Sequence, residues 1–313
     1  MPETAWVDTR GPFSLAELAG FGYGHLHTQP WDGVWRLAFC LDDGSGQAGV
    51  EVRQTEQERL ELTVHAPPGR LDSAVEPAAV EQSRRIMSCD HDGAAFAALG
   101  DRDPVLAQLI AAAPGLRPPV FASPYEAALW CLLVQRRSRR QATGLRQRLG
   151  QAHGVTFTLA GHAVTAVPTP RALLDVTGLQ GVPDVVVERL HAVARAALDG
   201  GLDVAHLTAL DPQEAIRDLQ TIPGIGPFSS ELIVVRGCGL SDVLPLGEPR
   251  SRAMIAALYD EPEPLDDARY RALAERWRPF RTWAVVLARA AGARVLPPDR
   301  VPGEAADRAG RRA

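Results

Sequence analysis

The segment 219-LQTIPGIGPFSSELIVVRG-237 carries the strongest structural signal in the chain, because two glycines and two prolines separate two helical patterns. The preceding 211-DPQEAIRDLQ-220 has an Asp-Pro helix start, and Pro227 suits the first position of a second helix. Gly224 and Gly226 have no Cβ, so the backbone N–H groups between the helices can approach an anion closely. The pattern therefore predicts a hairpin that binds a phosphate at a helix N-terminus.

The residues around the Gly-x-Gly pair argue against two other interpretations of it. A dinucleotide-binding fingerprint requires a preceding strand, whereas 215-AIRDLQ-220 has a helical pattern. A nucleotide P-loop ends in Gly-Lys-Ser/Thr, and this chain contains no lysine. A plain structural turn stays open as the alternative, since glycine turns commonly join helices.

The full segment resembles the helix-hairpin-helix of the DNA glycosylase superfamily, and in particular the DNA-3-methyladenine glycosylase II-like branch. The stretches 123-SPYEAALWCLLVQRRSRRQATGLRQRLG-150 and 181-GVPDVVVERLHAVARAALDGGLDVAHL-207 are similar to further helices of that family. The resemblance covers residues 120 to 290. It implies a helical core with a cleft between two helical halves.

The resemblance also implies how the hairpin would meet DNA. The amides around Pro223, Gly224 and Gly226 would hold a phosphate of one strand. A monovalent cation, present only with DNA, would join that contact. Its ligands by position would be three backbone carbonyls, those of Gln220, Ile222 and Ile225.

A second candidate DNA contact lies in the run 135-QRRSRR-140, which replaces a Gln-Gln-Val-Ser-like segment of the family. In the family, a residue beside that glutamine fills the gap left by an extruded base. Gln135, Arg136 and Arg137 are therefore expected to contact DNA, with Arg136 in the gap. A solvated arginine face is the alternative interpretation.

The family places an essential aspartate in the loop that follows the hairpin, and in 242-DVLPLGEPRSRAMIAALYD-260 that position is Glu248. Cleavage of an N-glycosidic bond builds positive charge on the sugar, which a fixed carboxylate stabilises. Pro249 suits the first position of a helix, so the dipole would favour ionised Glu248. Two alternatives stay open: Glu248 only completes a helix start, or Asp242 replaces it.

An alkylated purine is cationic and leaves readily, so the enzyme can recognise it by stacking on aromatic faces. Trp130, Phe228 and Trp283 are the candidates for this base pocket. Aromatic residues in helices more often belong to the core, and this is the expected place of Trp277 and Phe280.

The chain outside the hairpin predicts a mainly α fold behind a small α/β domain. Trp35, Leu37, Phe39 and Leu41 alternate with their neighbours, as in a half-buried strand. We expect an antiparallel, TATA-binding-protein-like N-terminal domain over residues 1–95, an all-helical glycosylase core over 96–298 and a disordered tail over 299–313. In the core, Ser123 and Glu126 predict a capping box at the start of a central apolar helix.

Composition limits the chemistry and the compartment. All 33 positive side chains are arginines, so no lysine can form a Schiff base with the sugar. The four cysteines are far apart and predict neither a zinc site nor an iron-sulfur cluster. No apolar run reaches the ~18 residues of a membrane span, and the N-terminus does not resemble a secretion signal. A cytoplasmic monomer is expected.

Together these features predict a monofunctional glycosylase that flips and hydrolyses alkylated purines of the 3-methyladenine and 7-methylguanine type in double-stranded DNA. Its role would be base excision repair, with no required cofactor. The alternative is a catalytically weak or inactive DNA-binding protein that senses damage, which the glutamate at position 248 and the arginine-rich run favour. A glycosylase specialised for bulky adducts is a further alternative.

Overall fold

A computed structural model describes residues 3–21, 31–56, 58–67 and 75–303. Its first part is a four-stranded antiparallel sheet in the order β1-β4-β3-β2. The strands are β1 (Glu3–Asp8), β2 (Trp35–Cys40), β3 (Gln47–Glu56) and β4 (Arg59–His65). Alternate residues of β4 are buried, as the period of two predicts. This sheet, at the head of a mainly helical chain, confirms the predicted fold class.

The other secondary-structure elements of the described chain are helices, apart from one β-hairpin. The first two, α1 and α2, pack on the sheet, and the others build the helical core. Their bounds are α1 Leu15–Phe21, α2 Val75–Ile86, α3 Gly93–Ala97, α4 Pro104–Ala112, α5 Pro124–Val134, α6 Arg139–His153, α7 Pro170–Leu174, α8 Asp184–Leu198, α9 Val204–Ala209, α10 Pro212–Leu219, α11 Pro227–Leu232, α12 Pro249–Leu258, α13 Asp267–Ala274 and α14 Arg281–Val295.

Two apolar cores divide the helical part. One surrounds α5, whose residues 124–133 are all buried, and includes α8, α10 and the hairpin residues Ile222 and Ile225. The other joins α4, α12, α13 and α14, and contains Trp277 and Phe280 as expected. The chain leaves the first core at Cys238 and enters the second at Leu244. The loop that ends in Glu248 therefore follows the crossing from one helical half to the other.

The prediction that the core is all-helical is wrong at one place. Residues 156–159 and 162–165 form an antiparallel hairpin, β5 and β6. Ala160 and Gly161 connect them with φ of 42° and 81°, the left-handed pair of a tight hairpin turn. Phe157 of β5 packs over Gly49 of the sheet, where any Cβ would lie 2.7 Å from the ring. The hairpin thus covers the sheet face that the helices leave open.

The predicted capping box of α5 forms only in half. Ser123 Oγ accepts the Glu126 N–H at 3.1 Å, as predicted. The Glu126 carboxylate instead accepts the Cys40 N–H at 3.0 Å and binds Arg146 at 2.9 Å. A buried carboxylate without a charged partner costs more free energy than a helix start without a second side-chain cap. Glu126 therefore fastens the helical core to the sheet.

Contacts between the C-terminal segment and the rest of the protein extend beyond residue 299, where the sequence predicts a disordered tail. Arg300 Nη2 donates to Asp260 Oδ1 at 2.6 Å, and Val301 packs against the core. The predicted disordered tail therefore does not begin at residue 299, and its remainder, 304–313, lies outside the described residues. The domain boundary at residue 95 stays a prediction. No described helix has the length and apolar character that a bilayer crossing needs.

Candidate nucleic-acid interface and active site

The hairpin predicted from the sequence joins α10 to α11 through residues 220–226. Its turn closes with the Ile225 N–H donating to the Ile222 carbonyl at 3.0 Å, and both isoleucine side chains are buried. Within the described structure, the N–H groups of Gly224 and Gly226 have no hydrogen-bond acceptor. Two amide donors on a turn anchored by isoleucines suit an anion from outside the protein.

The two hairpin glycines have different reasons to be glycine. Gly224 has φ +91°, and a Cβ there would lie 2.6 Å from Arg189 Cδ and 2.9 Å from Leu132. Its glycine is required by the backbone and by packing. Gly226 has φ −96° and would meet no protein atom within 4 Å of an added Cβ. The space beside the Gly226 amide is therefore open, as an approaching phosphate requires.

The loop between α5 and α6 touches this hairpin. Gln135 Nε2 donates to the Gly224 carbonyl at 2.9 Å, so two candidate DNA-contacting segments form one surface. Arg136 is exposed with φ +56°, a conformation that costs a non-glycine residue energy and places it at the loop tip. Arg137 instead donates to the carbonyls of Gln135 and Gly181 at 3.3 and 3.5 Å.

Glu248 is the N-cap of α12, and its carboxylate accepts several hydrogen bonds from the first turn. Oε1 accepts the Arg250 N–H at 3.3 Å, and Oε2 accepts the Ser251 N–H at 2.6 Å and the Ser251 hydroxyl. These hydrogen bonds hold the carboxylate at the N-terminus of the helix. A carboxylate has about four acceptor positions, so one stays available to a substrate.

The alternative carboxylate, Asp242, is fully engaged in ion pairs. It binds Arg278 at 2.9 Å and Arg281 at 2.8 Å, and accepts the Arg281 N–H at 3.3 Å. These contacts fix the start of α14. Asp242 therefore has a structural role, and Glu248 stays the proposed carboxylate of this loop.

The sequence was compared with protein families and with curated proteins. No protein-family model matches the chain. It is 32% identical over 186 residues to DNA-3-methyladenine glycosylase 2 of Escherichia coli, covering 58% of this chain and 62% of the relative. It is 29% identical over 211 residues to a probable bifunctional transcriptional activator/DNA repair enzyme AlkA of Mycobacterium tuberculosis, covering 66% and 41%. The chain thus spans less than two thirds of either curated relative.

The fold is shared with a solved glycosylase over nearly the whole length. A 3-methyladenine DNA-glycosylase from Archaeoglobus fulgidus superposes with a TM-score of 0.73 at 19% identity, covering 91% of this chain and 96% of that one. The chain is similar to helix-hairpin-helix DNA glycosylases, as the sequence resemblance predicted. Within these glycosylases, the similarity is to the DNA-3-methyladenine glycosylase II-like branch.

The loop before Glu248 is held from two sides. Glu231 of α11 accepts the N–H groups of Leu246 and Gly247, both at 2.8 Å, one on each carboxylate oxygen. Arg252 of α12 donates to the Leu246 carbonyl at 3.0 Å. Sequence reasoning missed Glu231, although it is the single acidic residue in the segment 219–237. The hairpin helix therefore sets the position of the Glu248 loop directly.

A substitution tests this positioning role of Glu231. Glu231→Gln keeps one acceptor oxygen but turns the other group into a donor that faces the Gly247 N–H, so the loop should shift. Because a displacement of ~1 Å costs up to ~100-fold in rate, we expect a 10- to 100-fold lower kcat for base release. The Kd for abasic DNA should stay within about twofold, since the hairpin amides are unchanged.

The matched variant is Arg252→Gln, which removes the hydrogen bond from Arg252 to the Leu246 carbonyl on the other side of the same loop. A purely structural role of Glu231 would instead lower the melting temperature and leave kcat of the folded fraction at the wild-type value. That result would contradict the positioning role.

The aromatic candidates occupy three different environments. Phe228 is 50% exposed on α11, and a Cβ on Gly247 would lie 3.8 Å from its ring, so it borders the Glu248 loop. Trp130 is 7% exposed in the first core. Trp283 is 2% exposed and packs edge-on against Phe96 with ring centroids 5.2 Å apart. One cavity that Trp283 lines has room for about one water molecule.

These placements change the expected base pocket. We reassign Trp283 to the core, because the aromatic cluster around it leaves no space for a purine. The apolar residues of α14 pack in the second core. An apolar face that contacts a ligand would have the same sequence pattern, so the sequence alone does not distinguish the two. Phe228 stays the leading candidate for stacking, whereas Trp130 is buried in the first core.

The carbonyls predicted to hold a monovalent cation lie on the hairpin turn. Ile222 accepts one hydrogen bond, from Ile225, and keeps its second lone pair. In the described chain, the carbonyls of Gln220 and Ile225 accept no hydrogen bond. The donor set is compatible with a hard cation, so these residues stay proposed ligands.

The cysteines offer no reactive group near this site. All four are free and buried. Burial raises the pKa of Cys131 to about 12, and of Cys89 and Cys238 to about 12 as well. Burial also raises the pKa of Cys40. The cysteines therefore remain thiols at neutral pH and cannot attack a sugar.

Proposed function

We propose that this protein is a monofunctional DNA glycosylase that binds damaged duplex DNA, flips out an alkylated purine and hydrolyses its glycosidic bond. The observation that carries the proposal is the Glu248 carboxylate, which lies at a helix start after a loop that Glu231 of α11, the helix following the hairpin, anchors. The 32% identity to a protein named DNA-3-methyladenine glycosylase 2 supports the same substrate class.

The proposed reaction needs few groups. As the bond to the base breaks, positive charge grows on the sugar, and ionised Glu248 stabilises it and orients the attacking water. The leaving base is already cationic, so it departs without a general acid. Phe228, half-exposed beside the Glu248 loop, would stack on the flipped base. A cation at Gln220, Ile222 and Ile225 would add positive charge near the bound phosphate.

Release of 3-methyladenine and 7-methylguanine from methylated duplex DNA tests the proposal. We expect the purified protein to release at least one of these bases and to leave an abasic strand that is intact until alkali is added. The strand should stay intact because no lysine is present to attack the sugar.

The control is the same duplex without methylation, from which no base should be released. Binding to abasic DNA without release of either base would contradict the proposed substrates and would favour the damage-sensing alternative. Strand cleavage without alkali would contradict the monofunctional reaction.

A further inference from the structure

One segment of the chain has an unusual charge pattern. Residues 127–174 contain seven arginines and neither aspartate nor glutamate, although the whole chain has a net charge of −5. One of the seven, Arg146, binds the buried carboxylate of Glu126 at 2.9 Å. Within the described ranges, the other six form no ion pair. By contrast, Arg278 and Arg281 share Asp242. The segment therefore carries positive charge that the protein itself does not neutralise.

Three of these arginines meet in a groove between α6 and the turn before α8. Arg140 and Arg148 lie on one face of α6 with Gly144 between them, and Arg137 enters from the preceding loop. The groove has a volume of about 350 Å³ and also contacts Gly181. An added Cβ on Gly144 would meet only Arg148 Nη1, at 3.6 Å, so the glycine leaves the floor of the groove open.

The guanidinium groups converge on the same turn from two directions. Arg137 Nη2 lies 3.5 Å from the Gly181 carbonyl, and Arg148 Nη2 lies 3.9 Å from the Cβ position of Gly181. Arg140 and Arg148 are exposed, so their guanidinium groups are accessible from solvent. Guanidinium groups that face open space without a carboxylate partner suit phosphate oxygens, which they bind in a bidentate manner.

This basic groove is continuous with the candidate DNA-binding surface. The Gly224 carbonyl of the hairpin accepts from Gln135, and Gln135 lies two residues before Arg137, which borders the groove. Arg140 and Arg148 are separated by eight residues of helix, about 12 Å at 1.5 Å per residue. That length corresponds to about three to four base pairs along a duplex. An extended backbone fits this row better than a single small anion.

We propose that the basic groove of Arg137, Arg140 and Arg148 binds backbone phosphates of the duplex outside the damaged nucleotide. The proposal rests on the proposed function, because it needs the hairpin and the groove to meet one DNA molecule. In this arrangement the hairpin fixes the phosphate near the lesion, and the groove holds the flanking duplex in register while the base is extruded.

The test uses the full chain with the double variant Arg140→Ala/Arg148→Ala. Fluorescence anisotropy should be measured over a salt series with an abasic duplex that extends well beyond the lesion on both sides. Each lost phosphate contact should reduce the slope of log K against log salt by about 0.9. We therefore expect a slope smaller by about 1 to 2, and roughly tenfold weaker binding near physiological salt.

A matched variant separates a local contact from a change in net charge. Arg53→Ala/Arg59→Ala removes the same two charges from strands β3 and β4 of the N-terminal sheet. Its salt slope should equal that of the wild type. A duplex trimmed to a few base pairs around the lesion should bind the wild type and the groove variant alike, because the flanking phosphates are missing.

The outcomes distinguish this proposal from the proposed function. If the wild type binds duplex DNA and the groove variant keeps its affinity and salt slope, the groove does not bind DNA and only this inference is overturned. An equal loss in the Arg53/Arg59 variant would also overturn it, since the effect would then be one of net charge. If the wild type binds no duplex at all, the proposed function fails as well.

Discussion

Glu248→Gln is expected to abolish base release while DNA binding persists. The glutamine has nearly the same shape, and its amide oxygen can still accept the Ser251 N–H, so α12 keeps its N-cap. The variant lacks the negative charge that stabilises the cationic sugar in the transition state. Loss of one such electrostatic group costs about 10²- to 10³-fold in rate. Single-turnover release of 3-methyladenine from methylated duplex DNA, beside anisotropy with abasic DNA, measures both effects.

Two control variants sharpen this result. Glu248→Asp keeps the negative charge and introduces the aspartate that the family resemblance implies at this position. It should retain more activity than Glu248→Gln, although its side chain is about one bond shorter. Asp242→Asn breaks ion pairs with Arg278 and Arg281, so it should lower stability more than activity. If Glu248→Gln releases base at the wild-type rate, Glu248 is not the catalytic carboxylate.

The features predicted correctly from the sequence are those that depend on neighbouring residues. The helix starts at Ser123-Pro124 and Asp211-Pro212 follow from local cap chemistry, and both helices begin there. The hairpin between α10 and α11 follows from two glycines and a proline within four residues. The place of Glu248 at the start of α12 follows from Pro249, and the structure has that cap.

The features that sequence reasoning missed depend on residues far apart in the chain. Glu126 was assigned to its own helix start, but its charge is satisfied by Arg146 and by the Cys40 N–H, 86 residues away. Glu231 reaches a loop 15 residues further on, and no local pattern indicates that reach. Trp283 and Phe228 have the same aromatic character, and only the packing separates a core residue from an exposed one.

The hairpin β5–β6 shows a different limit. The sequence predicts helices throughout this part of the chain, and each strand of the hairpin has only four residues. The hairpin is stabilised by its contact with the N-terminal sheet, where Phe157 packs over Gly49. A short strand of this kind is specified by the surface that it covers more than by its own residues.

Gly226→Glu is expected to lower DNA affinity by at least about 100-fold. The substitution should leave the protein folded, because Gly226 has φ −96° and an added Cβ meets no protein atom within 4 Å. In the complex, the new side chain would occupy the space through which a phosphate approaches the Gly224 and Gly226 amides. Each hydrogen bond to a charged group contributes about 1.5–3 kcal/mol, so loss of two accounts for this factor. Anisotropy with abasic duplex DNA measures it.

Gly226→Arg separates steric exclusion from charge repulsion at the same position. If the amides contact the phosphate directly, the arginine variant should also lose most of its affinity, because its bulk excludes the phosphate in spite of its favourable charge. Gly224→Ala is the structural comparison: its Cβ collides with Arg189 and Leu132, so it should lower the melting temperature, whereas both Gly226 variants should melt near the wild-type value. Wild-type affinity in both Gly226 variants would show that the phosphate does not reach this turn, and the hairpin would then be a structural connection between α10 and α11.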